Sequence, residues 1–203
     1  AVTNKICLDI AVIPFLWVLP LAVYLVTFII CFERPHWYGR VFFGWLAAAG
    51  GLLLVAQAQW SLVTGVMAQV VFYVGLLFVG CMVCHGETAR LRPAPAPLTR
   101  FYLIIAVGGA AGGLFVGLVA PVIFSDYHEL PIAFVLVALL ALVVTQMERR
   151  QSSAQPWDWQ ALAAVGLIVV MSAAFVAQSK RGRAGALSTR RSFYGVISTI
   201  LFE

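Results

Sequence analysis

The chain has 203 residues, of which 63% are hydrophobic and 10% charged, with a formal net charge of +5. Soluble domains carry about 25% charged residues, so composition excludes an ordinary soluble domain, and the mean hydropathy of +0.98 agrees. The basic residues sit in short joints beside apolar runs, where they set membrane topology rather than bind nucleic acid.

The apolar runs are too long and too uniform for the alternating strands of a membrane barrel. The expected fold is therefore all-α, a polytopic bundle of about six transmembrane helices, with membrane lipid as its main solvent. A transmembrane domain is expected over 1–178 and a basic linker and tail over 179–203.

The first run is Ile10–Phe32, preceded by Asp9 and interrupted by Pro14 and Pro20, which should kink it. A carboxylate beside a kinked membrane helix is a candidate binding site for a cation. The plainer alternative is a wet carboxylate that caps the helix. The charged turn "ERPHWYGR" (33–40) leads into the second run, Val41–Gln57, where "AAAGG" (47–51) offers a small-residue packing face.

The third run, Trp60–Cys84, ends in "CMVCHGETARLRP" (81–93). Cys81, Cys84 and His85 form Cys-x-x-Cys-His, the pattern that attaches a c-type haem. Two points argue against haem. Residues three apart share one side of any helix, and the stretch reads as cytoplasmic, whereas c-type haem is attached outside the cytoplasm. His85, Glu87, Arg90 and Arg92 then form a polar cluster at the mouth of the run. It reads as an interfacial cap or as a non-covalent ligand site. No metal site is expected, because two ligands are weak evidence for one. The four cysteines, Cys7, Cys31, Cys81 and Cys84, suggest no disulfide framework.

A basic, proline-rich joint (85–100) precedes the fourth run, Phe101–Phe124. Within it "GGAAGGLFVG" spaces Gly108 with Gly112, Gly109 with Gly113, and Gly113 with Gly117 by four residues, a face on which a neighbouring helix can approach closely. These glycines are not a nucleotide loop, because no strand precedes them. The short joint "SDYHELP" (125–131) leads to the fifth run, Pro131–Met147, and "ERRQSSAQPWDW" (148–159) to the sixth, Trp159–Gln178.

The joints after runs one, three and five carry Arg34, Arg40, Arg90, Arg92, Arg100, Arg149 and Arg150, and those after runs two and four carry no Lys or Arg. The positive-inside rule thus places 85–100 in the cytoplasm. The basic stretch Lys180–Arg191 conflicts with a sixth full crossing. No Ser-His-Asp set, paired-carboxylate site or phosphate loop is present, so a catalytic role is not expected.

"DIAVIPFLWVLPLAVYLVTFI", "MVCHGETARLRP", "LTRFYLIIAVGGAAGGLFVGLVAPVIF" and "ELPIAF" resemble the membrane portion of bacterial fused major-facilitator-like/spermidine-synthase proteins, over nearly the whole chain from Asp9 to the linker. The resemblance implies the bacterial inner membrane and a Cys-His-Gly-Glu stretch that holds no haem. It also implies an aminopropyltransferase-like domain of Rossmann type, whose first strand "RRSFYGVISTILFE" resembles. The glycine-rich and acidic catalytic motifs of that domain are not in this chain, so no catalytic residue carries over.

Three roles follow as expectations. The first is a non-catalytic subunit that anchors or scaffolds other membrane subunits or a synthase-like domain. The second is a transporter, or half of one, for a polyamine-like cation. The third is a haem- or pigment-binding subunit using His85, His36 or His128.

Overall fold

The computed structural model describes residues 2–10, 14–93, 98–124, 129–151, 162, 165–166, 168–170, 172–173, 188–192 and 195–199. Among these, four helical stretches are long and apolar enough to cross a membrane: Arg40–Trp60, Val66–Arg90, Leu98–Ile123 and Glu129–Glu148.

The first run is divided. A turn of helix, α1 (Val2–Asn4), passes into a π-helical segment, Lys5–Ile10. A 3-10 turn, Pro14–Trp17, then opens onto α2 (Val18–Glu33). The expected kinks are therefore a helix start. Pro14 begins the 3-10 turn and Pro20 is the third residue of α2, positions where a missing N–H breaks no bond within that helix. The 16 residues of α2 rise about 24 Å. With the 3-10 turn they reach about 32 Å, close to the bilayer core thickness of about 30 Å.

Helix α3 (Arg40–Trp60) ends at Ser61, whose left-handed backbone (φ 47°, ψ 47°) donates its N–H to Gln57 O. The Gln57 amide then clasps the following loop. Its Nε2 donates to Val63 O at 2.8 Å and its Oε1 accepts from Val63 N at 2.7 Å. Gln69 Nε2 reaches the same carbonyl at 3.0 Å. These bonds satisfy backbone groups that a loop cannot pair by itself.

Helix α4 (Val66–Arg90) corrects the expected third span. It starts six residues later than Trp60, after the loop 61–65, and runs on through His85–Arg90, which were expected to lie in a joint. Its polar end stays helical because other helices supply partners for it, as described below. Pro93 follows closely and cannot continue a helix.

The fourth apolar run forms α5 (Leu98–Leu114), a π-helical turn (Phe115–Val119) and α6 (Ala120–Ile123). The fifth run forms α7 (Glu129–Gln151). Of the sixth run, Trp159–Gln178, the described residues are helical. In the tail, β1 (Ser188–Ser192) and β2 (Gly195–Thr199) pair antiparallel with Ser188 opposite Thr199. This hairpin departs from the all-α expectation. Its second strand, "GVIST", is rich in the β-branched residues that suit a strand.

Helix α4 is central. It packs on α2 and α3, and α3 in turn packs on α7. The close α3 contacts use small residues, as "AAAGG" suggests: Ala47, Ala48, Gly50 and Gly51 are buried. A Cβ on Gly50 would lie 2.8 Å from Leu76 Cδ2, and one on Gly44 would lie 3.5 Å from Ala141 Cβ.

Two buried clusters form along this packing. One holds Ile6, Cys7, Leu54, Val70, Tyr73, Leu76, Leu130 and Phe134. The other holds Cys31, Tyr38, Phe43, Ala47, Met82, Val83 and Ala141. The glycine face of α5 behaves differently. Cβ atoms placed on Gly108, Gly109, Gly112, Gly113 and Gly117 would meet nothing within 4 Å. The close helix approach expected there is not made within the described chain.

Candidate functional site

The last two turns of α4 carry His85, Gly86 and Glu87, all buried. Each is matched by a residue from outside α4. Gly86 leaves room for an aromatic ring: a Cβ there would fall 2.3, 2.4 and 2.6 Å from Cγ, Cδ1 and Cδ2 of Tyr38. Tyr38 stands just before α3, is 2% exposed, and lies across this glycine.

From that position the Tyr38 hydroxyl donates to Glu87 Oε1 at 2.9 Å. Arg40, the first residue of α3, grips the same carboxylate at two points, with Nε to Oε1 at 2.7 Å and Nη2 to Oε2 at 2.6 Å. Such a fork is the strongest form of carboxylate recognition. The side chains of Arg40 and Glu87 are only 10% and 5% exposed.

The network continues outward. Arg40 Nη1 meets Glu148 Oε2 at 2.5 Å, and Arg90 Nη1 lies 3.5 Å from Glu148 Oε1. The Arg90 guanidinium also lies over the Tyr38 ring, 5.7 Å from its centre. Two arginines thus balance two glutamates. Burial, and then the bond to Glu87, push the Tyr38 phenol far above its ordinary range, so Tyr38 remains a donor at every physiological pH.

Arg40 starts α3, whereas Glu87 and Glu148 lie near the ends of α4 and α7. Their contact places the joints after runs one, three and five at one end of the bundle, as the alternation of charge requires.

His85 turns toward α2. Its Nδ1 lies 3.1 Å from Thr27 Oγ1, and the rings of Tyr24 and Phe28 stand edge-on to it with centres 4.7 and 5.4 Å away. Cys31 Sγ meets Met82 Sδ at 3.7 Å beside it. Cys81 and Cys84 are half-buried free thiols. Among the described residues no group of three or more His, Cys, Asp and Glu side chains is placed to share a metal ion.

The structure therefore brings His85, Glu87 and Arg90 to one helix end. Arg92 is exposed beyond it, its N–H bonded to Ala89 O at 3.2 Å. Asp9 belongs to the π-helical segment Lys5–Ile10, where Ile6 and Cys7 are buried at the opposite end with Leu54, Val70 and Leu130. His36 is exposed on a 3-10 turn beside Trp37, and His128 lies outside the described residues.

Sequence reasoning missed Tyr38, Arg40, Gly86, Glu148 and Thr27. One signal was present. Glu87 and Glu148 lie at the basic end of the bundle, and an acid partly within the membrane needs a cationic partner. Comparison with protein-family models, curated proteins and solved structures gives no match.

Proposed function

We propose that this chain is a non-catalytic subunit of the bacterial cytoplasmic membrane, a bundle of about six spans with 85–100 on the cytoplasmic side, that anchors a partner through its fourth span. The resemblance to the membrane part of spermidine-synthase fusions motivates the class of protein. The carrying observation is the stretch Leu98–Ile123: 6% of its 18-residue apolar window is buried within the chain, against 39% of the window in Arg40–Trp60. Its five glycines leave a channel in the helix surface that a second backbone fits.

In lipid, helix association depends on such close packing rather than on the hydrophobic effect. The partner this face suits is a transmembrane helix of another subunit, one able to carry a synthase-like domain. A transporter of polyamine-like cations has less support, because Glu87 is already held by Arg40 and Tyr38.

The test is the double variant Gly109→Leu/Gly113→Leu, with native electrophoresis of the assembly extracted in mild detergent. Association is expected to weaken at least ten-fold, about 1.4 kcal/mol. The 22.0 kDa chain should then migrate free of its partner. An assembly of unchanged size and yield would refute the reading.

A further inference from the structure

The buried clasp uses two of the three nitrogens of Arg40. Nε and Nη2 fork onto Glu87 at 2.7 and 2.6 Å. A guanidinium is a rigid planar fork, so Nη1 is directed away from Glu87. There it meets Glu148 Oε2 at 2.5 Å. Arg90 Nη1 reaches the other oxygen of the same carboxylate at 3.5 Å. One carboxylate from α7 thus bridges two arginines, one from α3 and one from α4.

The two anions of this network lie at different depths. The Glu87 side chain is 5% exposed and that of Glu148 is 55% exposed. Glu87 is fixed, because its loss would strand a buried arginine. Glu148 can exchange the bridge for water at little cost, since exposed pairs contribute about 0–1 kcal/mol. Its departure would uncover Arg40 Nη1 and Arg90 Nη1 together. Two arginines would then face Glu87 alone, leaving one net positive charge. An anion of single charge with several acceptor oxygens restores the balance.

A phosphodiester is such an anion, and arginine pairs suit its oxygens. The bridge lies at the basic end of the bundle, where the headgroups of anionic lipids gather around arginines. The adjoining turns of α3 and α7 expose Val41, Trp45, Val143 and Met147, so apolar surface for acyl chains borders the pair. We propose that Arg40 Nη1 and Arg90 form a site for the phosphodiester of an anionic phospholipid, with Glu148 as its built-in competitor. The site uses α3, α4 and α7 and not the glycine face of α5, so its failure would leave the anchoring role standing.

The test is native mass spectrometry of the purified full chain, released from detergent micelles doped with phosphatidylglycerol or with phosphatidylcholine. Phosphatidylglycerol should be retained about five-fold more strongly than phosphatidylcholine. Arg90→Gln should remove that preference. Glu148→Gln should raise phosphatidylglycerol retention, because it discharges the competing carboxylate and keeps its shape. Glu33→Gln makes the same charge change at an exposed residue that ends α2, and it should leave retention unchanged. Inorganic phosphate in excess should not displace the lipid. Equal retention of the two lipids, or equal effects of Glu148→Gln and Glu33→Gln, overturns the proposal. Displacement by inorganic phosphate overturns it too, because the ligand would then be free phosphate. If Arg90→Gln does not fold, the comparison of Glu148→Gln with Glu33→Gln decides.

Discussion

Gly86→Ala is expected to destabilise the protein by about 3 kcal/mol, measured as a lowered unfolding midpoint in mixed micelles. The new methyl would press on three ring atoms of Tyr38 at 2.3 to 2.6 Å. That ring has little room to retreat. Arg90 covers it at 5.7 Å, Phe43 stacks on it with centres 5.7 Å apart, and its hydroxyl is tied to Glu87. Overpacking of this kind costs about 2 kcal/mol, and losing a hydrogen bond to a charged group about 2 more. Alanine returns about 1 kcal/mol through helix propensity. Gly75→Ala on the same helix is the control. Its Cβ would meet nothing within 4 Å, so it should be neutral or slightly stabilising.

Arg40→Met is the second change of large effect, with an expected cost of about 4 kcal/mol. It leaves the Glu87 carboxylate, 5% exposed, with Tyr38 as its remaining hydrogen-bond donor. Removing one partner of a buried ion pair costs about 3–5 kcal/mol, because the other charge is stranded. Arg40→Met/Glu87→Gln should recover more than half of the loss. The amide oxygen still accepts from Tyr38, and no buried charge remains. Equal instability of the single and double variants in the same unfolding assay would show that the side-chain shapes matter rather than the charge. The outer pair is different: Arg90 and Glu148 are 38% and 55% exposed and 3.5 Å apart. Exposed pairs contribute about 0–1 kcal/mol.

Hydropathy exposes the apolar runs, and the alternation of basic joints shows which helix ends lie together. Local pattern could not show where α4 stops. His85, Glu87 and Arg90 look like a solvated joint because their partners are distant in sequence. Arg40 is 47 residues from Glu87 and 108 from Glu148. Those partners satisfy the polar turn and let it stay helical. Gly86 is opaque for the same reason, since only the ring of Tyr38 explains it.

The Cys-x-x-Cys-His pattern is also local. Its residues serve the α2–α4 contact, through His85 to Thr27 and Met82 to Cys31. The two small-residue faces show the limit of spacing arguments. "AAAGG" in α3 packs within the chain and "GGAAGG" in α5 does not, although both have the composition for it. Which face is used depends on which helices are available as neighbours. The division of the first run was partly legible, since Pro14 and Pro20 were visible, but not that they would start helices rather than bend one.

Among the described residues α3 lies between α4 and α7, with the Glu87 clasp at one end and α5 outside the packed unit. Disulfide trapping tests this most directly. A Cβ at Gly44 would lie 3.5 Å from Ala141 Cβ, within the range for a disulfide. In a background with the four native cysteines replaced, Gly44→Cys/Ala141→Cys should cross-link within one chain on mild oxidation in native membranes. The matched Gly112→Cys/Ala141→Cys pair should not. An absent 44–141 bond, or an efficient intrachain 112–141 bond, would contradict the packing on which the clasp and the free α5 face both depend.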